Sequence, residues 1–134
     1  MLNQEIYHFT HKDNFDSILK TNCLFSINQA KKNNTIFKDA SYFSIQDIRS
    51  RYLVNTKKNG FLHDYVPFYF APRSPMLFAH SKGKVSSGMN QSDLIYLVSS
   101  VYSVDNNSLT YAFTDGHAVK CLSSFFDDLN LLNQ

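Results

Sequence analysis

The sequence predicts an α+β domain, and three observations carry that expectation. Strand-like and helix-like stretches follow one another irregularly, not as a regular βαβ series. The chain has 134 residues and 43% hydrophobic content, enough to bury one core. The clearest strand signals, at 65–70 and 94–101, are aromatic and β-branched and are separated by a helical pattern and a loop.

The elements are expected in this order. Residues 6–9 form a short strand. Asp13 offers an N-cap to a helix over 14–20, with Phe15, Ile18 and Leu19 on one face and Asp16 as a variant capping box. A second short strand covers 24–27. Residues 28–39, rich in Asn and Lys, read as a mobile loop. A helical turn or two over 45–53 carries Arg49 and Arg51, and 55–60 is another loop. Pro67 puts the 65–70 strand at an edge. Pro72 stops that strand, and Pro75 suits the first turn of a helix over 76–81. A Gly/Ser-rich loop over 82–92 leads into the 94–101 strand. A further strand is expected at 109–113. Thr114 or Asp115 then caps a last helix, whose Ala118, Leu122, Phe125, Leu129 and Leu132 share one stripe.

Composition excludes some classes. A net charge of +2 gives no general attraction to polyanions, so nucleic-acid binding would need a local patch. Cys23 and Cys121 have no zinc-ligand spacing and read as two buried free thiols, with a disulfide left open. The polar N-terminus and the lack of a membrane-length apolar run favour a cytoplasmic protein.

Four clusters could carry chemistry. The first is Tyr7-His8-Phe9-Thr10-His11, with Asp13 and Asn14 after it. His8 and His11 point to opposite faces of a strand, which disfavours a shared metal ion. The second is Ile48-Arg49-Ser50-Arg51-Tyr52, a solvated face or a phosphate clamp. In the third, Arg73 and Ser74 are held between Pro72 and Pro75 after an aromatic strand, where rigid loops tend to carry function. The fourth is Thr114-Asp115-Gly116-His117-Ala118, a turn and cap or a phosphate-holding helix start.

Taken together and in this order, the clusters resemble the DarT family of DNA-targeting ADP-ribosyltransferase toxins. The most specific stretch is Val66-Pro67-Phe68-Tyr69-Phe70-Ala71-Pro72-Arg73-Ser74-Pro75-Met76-Leu77. The resemblance spans almost the whole chain, 1–134. It implies an ADP-ribosyltransferase-like fold, a mixed sheet with flanking helices. It implies NAD as co-substrate, no metal, and a base of single-stranded DNA, typically thymidine, as acceptor. A macrodomain antitoxin is the partner it implies. His8, Phe9 and Thr10 match the NAD-holding segment, with Ser17 and Phe25 as further contacts. Arg51 matches the catalytic arginine, although the family has two adjacent arginines there; Arg49 is the possible substitute. Arg49, Arg73, Ser74, Met76 and His117 fall on the DNA side. Tyr42, Phe43 and Tyr52 are candidate platforms for base stacking.

The family also carries a C-terminal glutamate that engages the donor ribose. Here the one glutamate is Glu5. The expectation is therefore a front portion of the domain, lacking the C-terminal segment and leaving an exposed sheet edge and apolar patch. The alternative is a catalytically inactive relative that binds NAD or single-stranded DNA. From another class, a metal-dependent nuclease would use His8, His11, Asp13, His63 and Asp64.

Overall fold

The computed structural model describes residues 3–40, 43–82 and 89–133. Its centre is strand β1 (Glu5–His11), paired antiparallel with β2 (Leu94–Ser100) so that Phe9 faces Tyr96 and His8 faces Leu97. On the other side of β1 the 65–70 segment approaches in extended form. It makes one bridge, in which Tyr7 and Tyr69 exchange both backbone hydrogen bonds at 2.8 Å. The segment is thus an edge attachment and not a full strand. Pro67 has no N–H to donate, which limits how far the ladder can run. The α+β class holds, and the strand pairs among the described residues are antiparallel.

The helices are short: α1 (Phe15–Thr21), α2 (Ile27–Lys32), α3 (Phe43–Arg51), α4 (Pro75–Ser81) and α5 (Val101–Asn106). Hydroxyl caps fix three of their starts. Ser26 accepts from the Gln29 N–H, Ser74 from Leu77 and Ser100 from Ser103. The Ser26 cap overturns two expectations, since 24–26 is irregular and α2 occupies part of the predicted 28–39 loop. Asp13 does not cap α1; it pairs with Lys38, and His11 Nδ1 accepts the Asp13 N–H. The strand ends at Ser100, where the hydroxyl cap turns the chain into α5.

The last third differs most from expectation. In place of a strand over 109–113 and a long helix, the chain makes only β3 (Phe113–Thr114) and β4 (Phe125–Phe126), with a 3₁₀ turn at Leu129–Asn133. The helical stripe is defeated locally. Asp115 accepts the Ser124 N–H, and Ser123 donates to the His117 carbonyl, so 115–124 closes into a compact turn. Phe113 and Phe126 then stack across the strand pair at 5.3 Å. Gly116 lies against this closure: a Cβ there would meet Ser123 Oγ at 2.8 Å.

The buried apolar set is small: Ile6, Phe9, Ala30, Ala40, Val54, Leu62, Ala79 and Val101. Phe9 anchors it by stacking on Tyr69 and meeting His80 and Tyr96 edge-on. Both cysteines are free and exposed, contrary to the buried pair expected. Val98 and Tyr102 are also exposed, on and just after β2.

Candidate functional site

A pocket of about 140 Å³ opens between the 8–10 stretch of β1, helix α1, the 23–27 segment and the strap formed by 35–40. His8, Phe9, Thr10, Ser17 and Phe25 all line it, so the structure brings these five sequence candidates to one place. Ile18, Ile27 and Phe37 supply apolar wall, and Asn14, Lys38 and Gln46 supply polar groups. Predominantly apolar walls with a few convergent polar groups are the usual make-up of a small-molecule site. Met76, at the start of α4, lines the same pocket.

His8 is the clearest chemical group in it. Its Nδ1 lies 2.7 Å from the Pro67 carbonyl oxygen, so Nδ1 carries the proton and Nε2 is left as an acceptor. Burial pushes the imidazole below its ordinary range, and the Pro67 carbonyl acts in the opposite direction. At neutral pH His8 is therefore uncharged. Its ring also packs against Phe68 at 5.6 Å.

The two arginines of α3 separate. Arg51 is exposed and pairs with Asp47 one turn earlier on the same helix. Arg49 is half-buried. Burial lowers its pKa, and the charges of Tyr69 and Asp39 oppose that shift. The Arg49 charge in turn lowers His63 and His117, each already pulled down first by burial. Lys31 adds to the effect on His63 and Lys120 to that on His117, and Arg49 also acts on the Tyr69 phenol, which itself lines the pocket. His63 Nε2 donates to Gln46 Oε1 at 2.8 Å, and Gln46 Nε2 donates to the Asp39 carboxylate.

The remaining candidates are more scattered. Arg73 is exposed just before α4. Ser74 is buried and occupied as the cap of α4. Tyr52 packs on Phe125. Tyr42 and the side chain of Phe43 lie outside the described residues. Sequence reasoning named Asn14 after the first cluster but gave it no role, whereas its side chain joins β1 to the strap, and it missed Gln46, which joins His63 to Asp39. Both are polar residues in polar stretches, so only their burial and partners set them apart. Among the described residues no group of three or more His, Cys, Asp or Glu could hold a metal ion, and no helix is long and apolar enough to cross a membrane.

Comparison with known proteins decides the family. Residues 7–134 match the family model described as "ssDNA thymidine ADP-ribosyltransferase, DarT". The chain belongs to the DarT family. A DNA ADP-ribosyl transferase of Thermus sp. (strain 2.9) is 41% identical over 129 residues, covering 96% of this chain and 60% of the relative. One from Escherichia coli O127:H6 is 34% identical over 136 residues, covering 96% and 59%. Among solved structures, Thermus sp. 2.9 DarT in complex with ADP-ribosylated ssDNA superposes with a TM-score of 0.91 at 40% identity, covering 98% of this chain and 62% of that one. The same DarT in complex with NAD+ gives 0.83 at 39% identity, covering 98% and 61%. Thermosipho africanus DarTG in complex with ADP-ribose gives 0.79 at 25% identity, covering 97% and 33%. The chain therefore spans about 60% of the length of the curated DarT relatives it matches.

Proposed function

We propose that the pocket beneath 35–40 is the donor site for NAD, and that ADP-ribose passes from it to a thymidine base of single-stranded DNA. The observation that carries this is the convergence of His8, Phe9, Thr10, Ser17 and Phe25 on one pocket. That the similar Thermus DarT has been solved with NAD+ and with ADP-ribosylated ssDNA supports NAD as donor and single-stranded DNA as acceptor. A toxin role with a macrodomain antitoxin follows from family membership and is part of the proposal.

In the transfer, the bond from the ribose C1′ to nicotinamide breaks and its electron pair leaves with nicotinamide. A nucleophilic atom of the base then bonds to C1′ and loses its proton. The ribose passes through an oxocarbenium-like state. Neutral His8 can face that centre without adding positive charge, while its Nε2 accepts a hydrogen bond from the donor. Arg49 is the arginine we assign to the reaction, ahead of Arg51. It is half-buried beside the pocket-lining Tyr69, whereas Arg51 is exposed and pairs with Asp47. A guanidinium stays protonated, so it acts by positioning and electrostatics and not as a base. His63 and His117 are lowered first by burial and then by Arg49, so both stay available as proton acceptors near that arginine, although neither lines the pocket itself.

Glu5 is exposed at the start of β1 and bonded to the Tyr7 hydroxyl. A second reading is that this chain binds NAD without transferring ADP-ribose: among the described residues its one glutamate, Glu5, does not line the pocket. Calorimetric titration with NAD tests what the two share. Wild-type protein should bind, and His8→Ala should weaken binding by about tenfold or more, the loss of a buried hydrogen bond. Folded wild-type protein that takes up no NAD would remove the donor site. Transfer to oligothymidine, assayed on this chain and on a form extended with a family-like C-terminal segment, separates the two readings.

A further inference from the structure

Residues 35–40 form no regular secondary structure, yet all six line the pocket. The Thr35 N–H returns to the Ala30 carbonyl at the end of α2. Further along, side chains hold the strap. The Asn14 carboxamide accepts the Lys38 N–H at 2.8 Å, donates to the Lys38 carbonyl at 2.8 Å and donates to Thr10 Oγ1 at 2.9 Å. His80 Nε2 donates to the Ala40 carbonyl at 2.7 Å. Asn14 offers Lys38 one donor and one acceptor, which is what a neighbouring β-strand would offer. It is also 8% exposed; its bond to Thr10 is buried and its two bonds to Lys38 are partly buried. Two residues before Lys38, the Ile36 side chain is 93% exposed at the pocket wall, an apolar group that a bound ligand would cover.

We infer that Asn14 is a positioning residue of the donor site: by tying Lys38 to Thr10 it fixes the strap against the strand that carries His8, and so sets the width of the slot a dinucleotide enters. The inference rests on the donor-site assignment above. It concerns how the pocket is held open at the right width, and Asn14 acts through Lys38.

Two variants test it on the full chain. In Asn14→Ala the Lys38 amide should exchange about tenfold faster or more, with β1–β2 amides unchanged, and NAD should bind about tenfold more weakly. Asn14→Asp keeps the acceptor and loses both donor bonds. Its carboxyl, buried beside a carbonyl, regains a donor when protonated. Its NAD affinity relative to wild type should therefore recover as pH falls from about 8 to about 5. His8 and His11 on β1, Lys12 and Asp13 on the following turn, and Lys38 and Asp39 on the strap are common to both proteins, so the ratio isolates residue 14. A merely structural asparagine would give no such recovery. Faster Lys38 exchange with unchanged NAD affinity, or a variant-to-wild-type ratio flat across that range, overturns the inference. If Asn14→Ala does not fold, Asn14→Asp decides. Absence of NAD binding by wild-type protein overturns the donor site itself, and this inference with it.

Discussion

Arg49 and Arg51 stand two residues apart on α3, and separate alanine substitutions distinguish their roles. Arg51 and its partner Asp47 have side chains 74% and 59% exposed. An exposed ion pair one helical turn apart contributes about 0.3–0.5 kcal/mol, so Arg51→Ala should change little beyond that. Arg49 is half-buried, and its charge bears on His63, His117, Tyr69 and Asp39. Removing a preorganised charge from a reacting centre costs about 10²–10³ in rate. The first assay needs no activity. In an NMR titration, Arg49→Ala should let the His63 and His117 imidazoles titrate at higher pH, because a neighbouring cation no longer disfavours their charged form. Arg51→Ala should leave both where they are. The second assay is transfer to oligothymidine by protein extended with a family-like C-terminal segment. There Arg49→Ala should lose about 100-fold or more, and Arg51→Ala should stay within about twofold. The reasoning fails if the histidines of Arg49→Ala titrate as in wild type, or if Arg51→Ala is the variant that loses transfer.

Two further outcomes follow from the same structure. His8, His63 and His117 are all depressed, first by burial. A histidine with a depressed folded-state pKa leaves stability intact above its unfolded value and erodes it below, since the unfolded chain takes the proton first. The urea midpoint should therefore fall as pH drops through about 6.5, and a midpoint constant from pH 8 to 5 would contradict the neutral imidazoles. Ser74→Ala removes the hydroxyl that accepts the Leu77 N–H and should cost about 1 kcal/mol in thermal or urea unfolding. Oligothymidine affinity should not change; a loss there at unchanged stability would return Ser74 to the DNA side.

What the sequence showed depended on how local each signal was. β1, β2, α3 and α4 were legible because strand alternation, Pro75 and a helical pattern each act within a few residues. The edge character of 65–70 was legible from Pro67. The final helix was not. Its five apolar residues keep helical spacing, but Phe125-Phe126 favours a strand, and the Asp115–Ser124 bond closes a turn that the spacing cannot register. α2 was hidden in an Asn/Lys-rich stretch with little apolar periodicity, and only its Ser26 cap marks it. At the site, the five candidates that line one pocket came from a resemblance in sequence and were gathered by the fold. The arginine was harder to choose, because burial separates Arg49 from Arg51 and the two differ little in sequence context.

The extended 67–70 segment connects the pocket with the surroundings of Arg49. Its first residue holds His8, through the Pro67 carbonyl that fixes the imidazole tautomer. Tyr69 is pinned to β1 by two backbone bonds to Tyr7 and by stacking on Phe9, so its phenol is aimed by the sheet and not by a loop. That ring lines the pocket on one side and feels the Arg49 charge on the other. Three residues after Tyr69, the Pro72 carbonyl accepts from the Tyr96 hydroxyl of β2, which ties the exit of the segment to the far strand. A segment with only one bridge to the sheet is thus fixed by His8, Tyr7, Phe9 and Tyr96 together. The same contacts that replace a full ladder also hold the His8 imidazole and Tyr69, which feels the Arg49 charge, on the pocket wall. Pro67 takes part in both: it cannot donate to a sheet neighbour, and its carbonyl is left free to orient His8.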